Sequence, residues 1–283
     1  MSLSDKTIFL CAISNINSGT CNEDCKFCSQ SVRYKAKIER YKQKAVNTIV
    51  QEAKIAKKNK ALGFCLVSSN RALEDKMVEF VCEIAHAIEK QKLGLRLIGC
   101  NGVATKEQLR ELGKNGVKAY NHNLETSREF YPNICTTHSW EDRYATAQAV
   151  NEAGLVLIAG GIFGLGESKA DRVSMLHSLA ELNPLSVPIN FYHHNDALEL
   201  NPNPLRKQEA LSLVELTRKT IPNAKRIMVA GGREMMFGND LGAVFKAGAN
   251  SIVVGDYLTT KGEKPSGDLA LLEQLGCVVA TRV

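Results

Sequence analysis

Three cysteines near the start of the chain have a spacing that suits an iron-sulfur cluster. Cys21, Cys25 and Cys28 lie in the run Gly-Thr-Cys-Asn-Glu-Asp-Cys-Lys-Phe-Cys-Ser-Gln. Three thiolates can hold three irons of a four-iron cube, which leaves the fourth iron able to bind and cleave a ligand, whereas four thiolates would close the cube as an electron carrier. The Cys-x3-Cys-x2-Cys loop therefore predicts a catalytic cluster.

Two other uses of clustered cysteines fit this loop less well. A structural zinc site needs a fourth Cys or His and usually pairs two knuckles, but no second knuckle lies nearby in the sequence. A disulfide framework is disfavoured because the nine cysteines are odd in number, the chain is not short, and we expect no secretory leader. The cysteine pattern thus favours iron and sulfide over zinc or disulfides.

Length and composition indicate one cytoplasmic barrel-sized domain. The 283 residues are 44% hydrophobic, enough for a single large core, so we expect one domain spanning residues 1–283. The longest apolar runs are too short to cross a bilayer, and free thiolates suit a reducing compartment, so no membrane association is predicted. The net charge of +6 comes from lysines dispersed over helix faces, which argues against nucleic-acid binding.

Short β-type runs alternate with amphipathic helical stretches along the whole chain. The predicted strands are residues 8–14, 63–69, 95–100, 117–124, 155–161, 187–192, 226–230 and 251–255. The predicted helices are residues 45–60, 73–92, 105–116, 140–153, 168–182, 207–221, 240–247 and 268–275. Strict alternation implies parallel strands with right-handed crossovers, and eight repeats favour a closed (β/α)8 TIM-type barrel over a doubly wound sheet.

A barrel of this kind carries its active site at the carboxyl ends of the strands, and the cysteine loop follows the first strand directly. In the fourth strand, Asn121, Asn123 and Glu125 alternate, so they are predicted to share one face. Buried polar groups need partners, so this row must meet other protein groups or a ligand. His122 is predicted on the opposite face with a structural role.

The glycine-rich run at residues 159–167 is weak evidence by itself. It lacks the Lys-Ser/Thr ending of a phosphate loop and does not match the Gly-x-Gly-x-x-Gly dinucleotide pattern. In a barrel with the predicted cluster, Gly160 and Gly161 would let a bound ligand approach the backbone closely.

The cysteine loop, with Phe27 before its last cysteine, resembles that of radical S-adenosylmethionine (SAM) enzymes. The resemblance narrows to the biotin synthase family through further runs, at residues 19–31, 120–127, 160–167, 186–190, 232–236 and 248–252. It implies a [4Fe-4S] cluster that binds SAM, a 5′-deoxyadenosyl radical that removes hydrogen from dethiobiotin, and an auxiliary iron-sulfur cluster, [2Fe-2S] in the family, that donates sulfur to form biotin.

The same resemblance assigns expected roles to individual residues. Phe27 would lie near the SAM adenine, Asn123 and Glu125 would bind its ribose, and Gly160 and Gly161 would line its site. Asn121, Asn123 and Asn190 would contact dethiobiotin, whose neutral ureido group suits amides because they both donate and accept hydrogen bonds. Thr260 would receive the substrate carboxylate.

The auxiliary cluster is where the chain departs from the family pattern of three cysteines and one arginine. Cys65 and Cys100 match two cysteines, but the third falls at Ile158 and the arginine at Met228. Isoleucine has no donor atom, and a thioether is a weak neutral ligand. We expect another cysteine to supply the missing ligand and the cluster to differ in composition. The preferred candidate is Cys11 and the runner-up is Cys135, whereas Cys82 and Cys277 are expected to be structural.

Two alternative functions remain open from the sequence. A related radical SAM maturase or carbon-skeleton mutase could share the first cluster without inserting sulfur. A non-catalytic iron-sulfur protein is disfavoured, because a carrier needs neither an open iron nor the polar row of strand four. The expected partners are dethiobiotin, SAM, reduced flavodoxin or ferredoxin, and a second copy in a homodimer.

Overall fold

Eight parallel strands close into a barrel in the computed structural model, which describes residues 3–4 and 6–282. The strand order is β1 to β5 followed by β7, β8 and β9, and β9 pairs with β1 to close the ring. The short strand β6 also pairs with β7, and β10 pairs with the start of β1. The strands are β1 Thr7–Asn15, β2 Gly63–Val67, β3 Arg96–Cys100, β4 Ala119–Asn121, β5 Val156–Ile158, β6 Gly161–Phe163, β7 Ser186–Phe191, β8 Arg226–Val229, β9 Ser251–Val253 and β10 Val278–Val279.

The helices pack on the outside of this ring. They are α1 Val46–Lys58, α2 Asp75–Glu89, α3 Lys106–Lys114, α4 Trp140–Glu152, α5 Lys169–Leu182, α6 Lys207–Thr220, α7 Arg233–Phe237, α8 Leu241–Lys246 and α9 Pro265–Gln274. Capping boxes begin three of them, at Thr105, Ser139 and Ser168, where the side chain accepts from the third helical N–H. The predicted (β/α)8 barrel is confirmed.

Strand four is shorter than predicted. Its pairing with β3 stops at Tyr120 and its pairing with β5 stops at Asn121; beyond that, His122 N donates to Ile158 O and Leu124 N to Gly160 O. Glu125 then takes a left-handed conformation, with φ of 68°. The prediction that the strand extends through residue 124 was therefore wrong, because the polar residues from Asn121 onward no longer pair with β3.

The predicted fifth strand, residues 155–161, divides into β5 and β6. Ile158 of β5 pairs with Ser186 of β7, and pairing with β7 resumes at Gly161 of β6, so the ladder is interrupted between the two segments. The sequence also did not predict α7 or β10, which are five and two residues long. Elements this short have too few residues to reveal a period.

Two apolar layers surround the ring. The larger lies between the outer face of the sheet and the helices, and a smaller one fills the barrel interior. The interior layer contains cysteines as well as aliphatic side chains, and these cysteines distinguish it from a purely structural core. Within residues 3–4 and 6–282, no helix has the length and apolar character needed to cross a bilayer.

Candidate active site

The carboxyl ends of β1 to β4 and the loops after them surround a cleft. All three cysteines of the predicted cluster loop line it, together with Phe27 and polar side chains from the strand ends. The structure therefore brings together residues 21–28 and residues 121–125, which are about a hundred positions apart in the sequence. This is the end of the barrel where the fold predicts chemistry.

The cysteine loop is folded back on itself by its own backbone. Cys28 N donates to Cys25 O at 3.0 Å, and Val32 N donates to Cys21 O at 2.8 Å. Burial raises the pKa of the Cys28 thiol to about 11 and also raises that of Cys21. Thiols with raised pKa values stay protonated in the empty site. They are consistent with cluster ligands, because iron displaces their protons when it binds.

Glu125 and Asn123 face this loop from the other side of the cleft. Burial raises the pKa of the Glu125 carboxyl, and Arg143 opposes that shift with a guanidinium nitrogen 3.5 Å from the carboxylate. Arg143 also donates to Asn123 O at 3.0 Å. The carboxylate is thus held in a fixed position with one oxygen turned toward Asn123 Nδ2, at 3.4 Å. His122 is buried next to this pair, and burial lowers its pKa well below the ordinary range, so it is neutral.

Gly160, just before β6, and Gly161, its first residue, position Asn123 and Glu125. A Cβ at Gly160 would lie 1.8 Å from Pro188 O, and one at Gly161 would lie 2.8 Å from Glu125 O. Gly160 N also donates to Asn123 Oδ1 at 3.1 Å. The space beside both glycines is filled by protein, so their contribution here is to bring strand and loop backbones together.

A second group of buried polar residues lies behind Cys25, on the loop that follows β4. The Sγ atoms of Cys25 and Cys135 are 3.6 Å apart, and Cys135 Sγ is 3.3 Å from His138 Nδ1. The Cys25 thiol that donates to it is the main reason that the pKa of Cys135 falls to about 4. This position contradicts the expectation that Cys135 could join the auxiliary cluster, because it lies against the first cluster's ligand.

The barrel interior holds the other set of thiols. Cys65 on β2 and Cys100 on β3 share a hydrogen bond, which is the first cause of a raised pKa at Cys65 and a lowered one at Cys100. Asn121 Nδ2 donates to Cys100 Sγ at 3.3 Å. The Oδ1 of Asn121 is buried without a hydrogen-bond partner, so the amide has an unused acceptor beside the thiol pair.

Cys11 on β1 is related to Cys65 by the same strand offset that relates Cys65 to Cys100. Cys65 pairs directly with Ile98, and Cys100 lies two residues further along β3. Cys11 pairs directly with Gly63, and Cys65 lies two residues further along β2. The three thiols therefore follow one diagonal across adjacent strands, and a Cβ at Gly63 would come within 3.0 Å of Cys11 Sγ.

Ile158 and Met228 are buried in the same interior layer and supply no anionic ligand there. Two residues before Met228 on β8, the Arg226 side chain extends beneath the thiols. Its guanidinium lies 4.2 Å from the Phe9 ring centroid, and its Nε is buried without a hydrogen-bond partner. Neither Arg226 nor its neighbour Arg96 pairs with a carboxylate in the part of the chain that the structure describes.

The two remaining predicted substrate contacts lie apart from the cleft lining. Asn190 on β7 accepts from Gly231 N at 2.9 Å and donates to Gly161 O at 3.2 Å, so it ties three strand ends together. Thr260 is exposed in the loop after β9, where its carbonyl accepts from Tyr257 N. Its neighbour Thr259 contacts Ser29 of the cluster loop at 2.8 Å, so this loop abuts the site.

Sequence reasoning missed Arg143 and His138. Arg143 lies on α4 and reaches both Glu125 and the hydroxyl of Tyr131, at 2.7 Å. His138 Nε2 lies 2.8 Å from that same hydroxyl. A charged residue in the first turns of an outer helix looks like a solvated side chain in sequence, and only its burial in the fold reveals its role.

Comparison with known proteins agrees with this arrangement. The Radical SAM superfamily model matches residues 16–179, and the Biotin and Thiamin Synthesis associated domain model matches residues 188–278. The chain is 65% identical over 279 residues to a protein named biotin synthase in Sulfurimonas denitrificans, covering 99% of each chain. It is 58% identical over 278 residues to one in Aliarcobacter butzleri, covering 98% of each.

Solved structures resemble the chain at the level of fold. The FeFe-hydrogenase maturase HydG from Carboxydothermus hydrogenoformans gives a TM-score of 0.81 at 17% identity, covering 96% of this chain and 67% of that one. Methylornithine synthase gives 0.78 at 17% identity, covering 97% and 84%. The high identities, the two family models and the cysteine loop at the barrel mouth agree. This chain belongs to the biotin synthase family of radical SAM enzymes, which convert dethiobiotin to biotin by inserting sulfur.

Proposed function

We propose that this chain makes biotin from dethiobiotin with two thiol sites that have separate tasks. One observation carries the proposal: the loop of Cys21, Cys25 and Cys28 opens on the barrel mouth, while a second set of thiols is buried in the interior next to the unpaired Asn121 oxygen. A substrate between the two sites can be activated from one side and receive sulfur from the other.

The mouth site holds SAM. Cys21, Cys25 and Cys28 hold the [4Fe-4S] cluster, which when bound supplies the electron for reductive SAM cleavage. Phe27 lines the cleft where an adenine ring would stack, and Asn123 and Glu125 offer an amide and a carboxylate for the ribose hydroxyls. The backbone of Gly160 and Gly161 supports this pair from behind.

Replacing Glu125 by glutamine is expected to weaken SAM binding. A hydrogen bond to a charged group contributes about 1.5 to 3 kcal/mol, so the dissociation constant for SAM should rise roughly 10- to 100-fold. Glu129→Gln is the matched control, because Glu129 lies on the same loop and is exposed, with its carboxylate accepting from Ser174 Oγ at 3.2 Å. Equilibrium binding of SAM to the anaerobically reconstituted protein measures both. An unchanged constant in Glu125→Gln would rule out a ribose contact.

The substrate lies between the two sites. The free Oδ1 of Asn121 suits a ureido N–H, since an unpaired buried acceptor gains a partner when dethiobiotin binds. Asn123 contacts the substrate from the SAM side. Asn190 contributes through its position between Gly161 and Gly231, and Thr260 receives the substrate carboxylate from the loop that abuts the cluster loop.

The interior site holds the auxiliary cluster through Cys65, Cys100 and Cys11. Their diagonal arrangement gives three sulfur donors, and this donor set suits iron-sulfur binding even though Ile158 and Met228 contribute no anionic ligand. Burying several thiolates is costly unless positive charge is near. The guanidinium groups of Arg226 and Arg96, which have no carboxylate partner among the described residues, supply that charge.

Electrons come from reduced flavodoxin or ferredoxin. The segment that packs on the cluster loop exposes Arg33, Lys35 and Lys37, and Arg33 Nε donates to Asn22 O at 2.8 Å, next to Cys21. A positively charged surface beside the cluster attracts an acidic carrier and orients it for transfer.

The domain organisation, cellular location and oligomeric state are proposed as follows. The chain acts as a single domain, a proposal supported by the pairing of β6 with β7, which joins the two regions that separate family models match. It works in the cytoplasm, where reducing conditions keep its cysteines out of disulfides and available as cluster ligands. It forms a homodimer, which sedimentation of the reconstituted protein tests.

Product analysis tests the proposed reaction. Anaerobically reconstituted protein with SAM, dethiobiotin and a reductant should form both 5′-deoxyadenosine and biotin. Formation of 5′-deoxyadenosine without biotin would favour a radical SAM enzyme that does not insert sulfur. Absence of both products, with clusters loaded, would favour a non-catalytic iron-sulfur protein.

A further inference from the structure

Polar side chains face the interior of the barrel at its amino end. Side chains alternate along a strand, so Arg226 on β8 faces the interior like Met228, and Arg96 on β3 faces it like Ile98. Together with Ser186 on β7, the two arginines line a cavity of about 30 Å³. A space of this size is large enough to hold one water-sized group.

The polar groups of this cavity have hydrogen bonds left to make. Ser186 Oγ is buried without a hydrogen-bond partner, and the residue is only 1% exposed. The Nε of Arg226 is also buried and unpartnered. Neither Arg226 nor Arg96 forms an ion pair within residues 3–4 and 6–282. Buried polar groups in folded proteins normally have a partner, so these groups indicate a bound molecule or ion.

The two guanidinium groups also lie near one another. Burial lowers the pKa of both, and the positive charge of Arg96 lowers that of Arg226 further. Arg226 Cζ lies 4.2 Å from the Phe9 ring centroid, and this contact keeps its cation within the amino end of the barrel. Two partly buried like charges are unfavourable without an opposite charge, because burial of a charge costs free energy unless it is paired.

The chemistry of the lining selects an anion. Guanidinium groups only donate hydrogen bonds and stay positively charged, and the Ser186 hydroxyl can donate as well. None of the described residues that line the cavity is acidic, and most of the remaining lining is apolar. The small volume favours an anion with one heavy atom over phosphate or sulfate.

We propose that the amino end of the barrel binds one small monovalent anion, chloride or hydrosulfide, between Arg226, Arg96 and Ser186. In the proposed reaction the two arginines offset the charge of the auxiliary thiolates. Where the auxiliary cluster is absent, the bound anion supplies that negative charge, a consequence that rests on the proposed function. Cys11 lines the same cavity, so a bound hydrosulfide would lie beside a proposed auxiliary ligand.

Thermal unfolding of the full chain, isolated anaerobically without iron, tests this site. The probes are sodium chloride and sodium hydrosulfide, each titrated at constant ionic strength against gluconate, an anion too large for the cavity. An anion that binds only the folded chain should raise the melting temperature, by roughly 2 °C at about ten times its dissociation constant. Arg226→Met should remove this rise. Arg110→Met should keep it, because it removes the same charge from an exposed position on α3.

A rise in the parent that Arg226→Met abolishes supports the site, and the anion that acts at the lower concentration is its occupant. An equal rise in both proteins, or no rise in the parent, would overturn the proposal. If Arg226→Met does not fold, bromide-soaked crystals of the parent decide. An anomalous peak in contact with Ser186 Oγ and Arg226 Nε supports the site, and its absence refutes it. Neither readout needs a loaded cluster, so failure of the proposed sulfur insertion would leave both results unchanged.

Discussion

Replacing Cys28 by alanine is expected to reduce SAM cleavage to background. The two remaining thiolates would leave two irons of the cube without a protein ligand, and the cluster that SAM needs would not be retained. The measurement is 5′-deoxyadenosine formed by the anaerobically reconstituted variant, together with its bound iron and sulfide. Both should fall, since Cys28 lies in the cleft with the other two ligands.

Cys277→Ala is the matched control for this change. Cys277 is half-buried beside β10, far along the chain from the cluster loop, and its thiol donates to Leu3 O at 3.8 Å. This variant should keep the parental rate of SAM cleavage. A parental rate in Cys28→Ala would show that the loop is not the cluster site.

Replacing Cys11 by alanine is expected to separate the two halves of the reaction. The loop cysteines are untouched, so SAM should still be cleaved. The interior site would lose one of three thiolates, and the cationic Arg226 would then face a poorer donor set. We expect the variant to form 5′-deoxyadenosine but little or no biotin, and to bind less iron than the parent.

Mössbauer spectra and iron content of the Cys11 variant give a readout that does not depend on turnover. Cys82→Ala serves as the control, because Cys82 lies on α2 and packs against the outer apolar layer between sheet and helices. If Cys11→Ala matched the parent in spectrum, iron content and biotin yield, Cys11 would not be a ligand and another group would have to complete the interior site.

The barrel was predictable because each repeat carries its own signals. Periodic apolar positions, helix caps at Thr105 and Ser168, and alternating strands and helices repeat along the whole chain, so local patterns add up to one topology. Boundaries were less accurate where function intervenes. Strand four ends at Asn121 because Asn123 and Glu125 turn into the cleft instead of continuing the ladder.

The residues that line the site were predictable only in part. The cysteine loop has a spacing that indicates its chemistry, and resemblance to a family supplied the polar row. No local pattern marks Arg143 or Cys135, since the site contacts of each are with residues distant in sequence. The glycine-rich run was recognised, but its tight packing against Pro188 and Glu125 is visible only in the folded chain.

Sulfur in biotin is proposed to come from an auxiliary cluster inside this barrel. The most direct measurement reconstitutes the protein with ³⁴S-sulfide, removes free sulfide, and determines the mass of biotin from the first turnover. We expect this biotin to carry ³⁴S in the parent and its yield to collapse in Cys11→Ala. Biotin that carries only natural-abundance sulfur would contradict it.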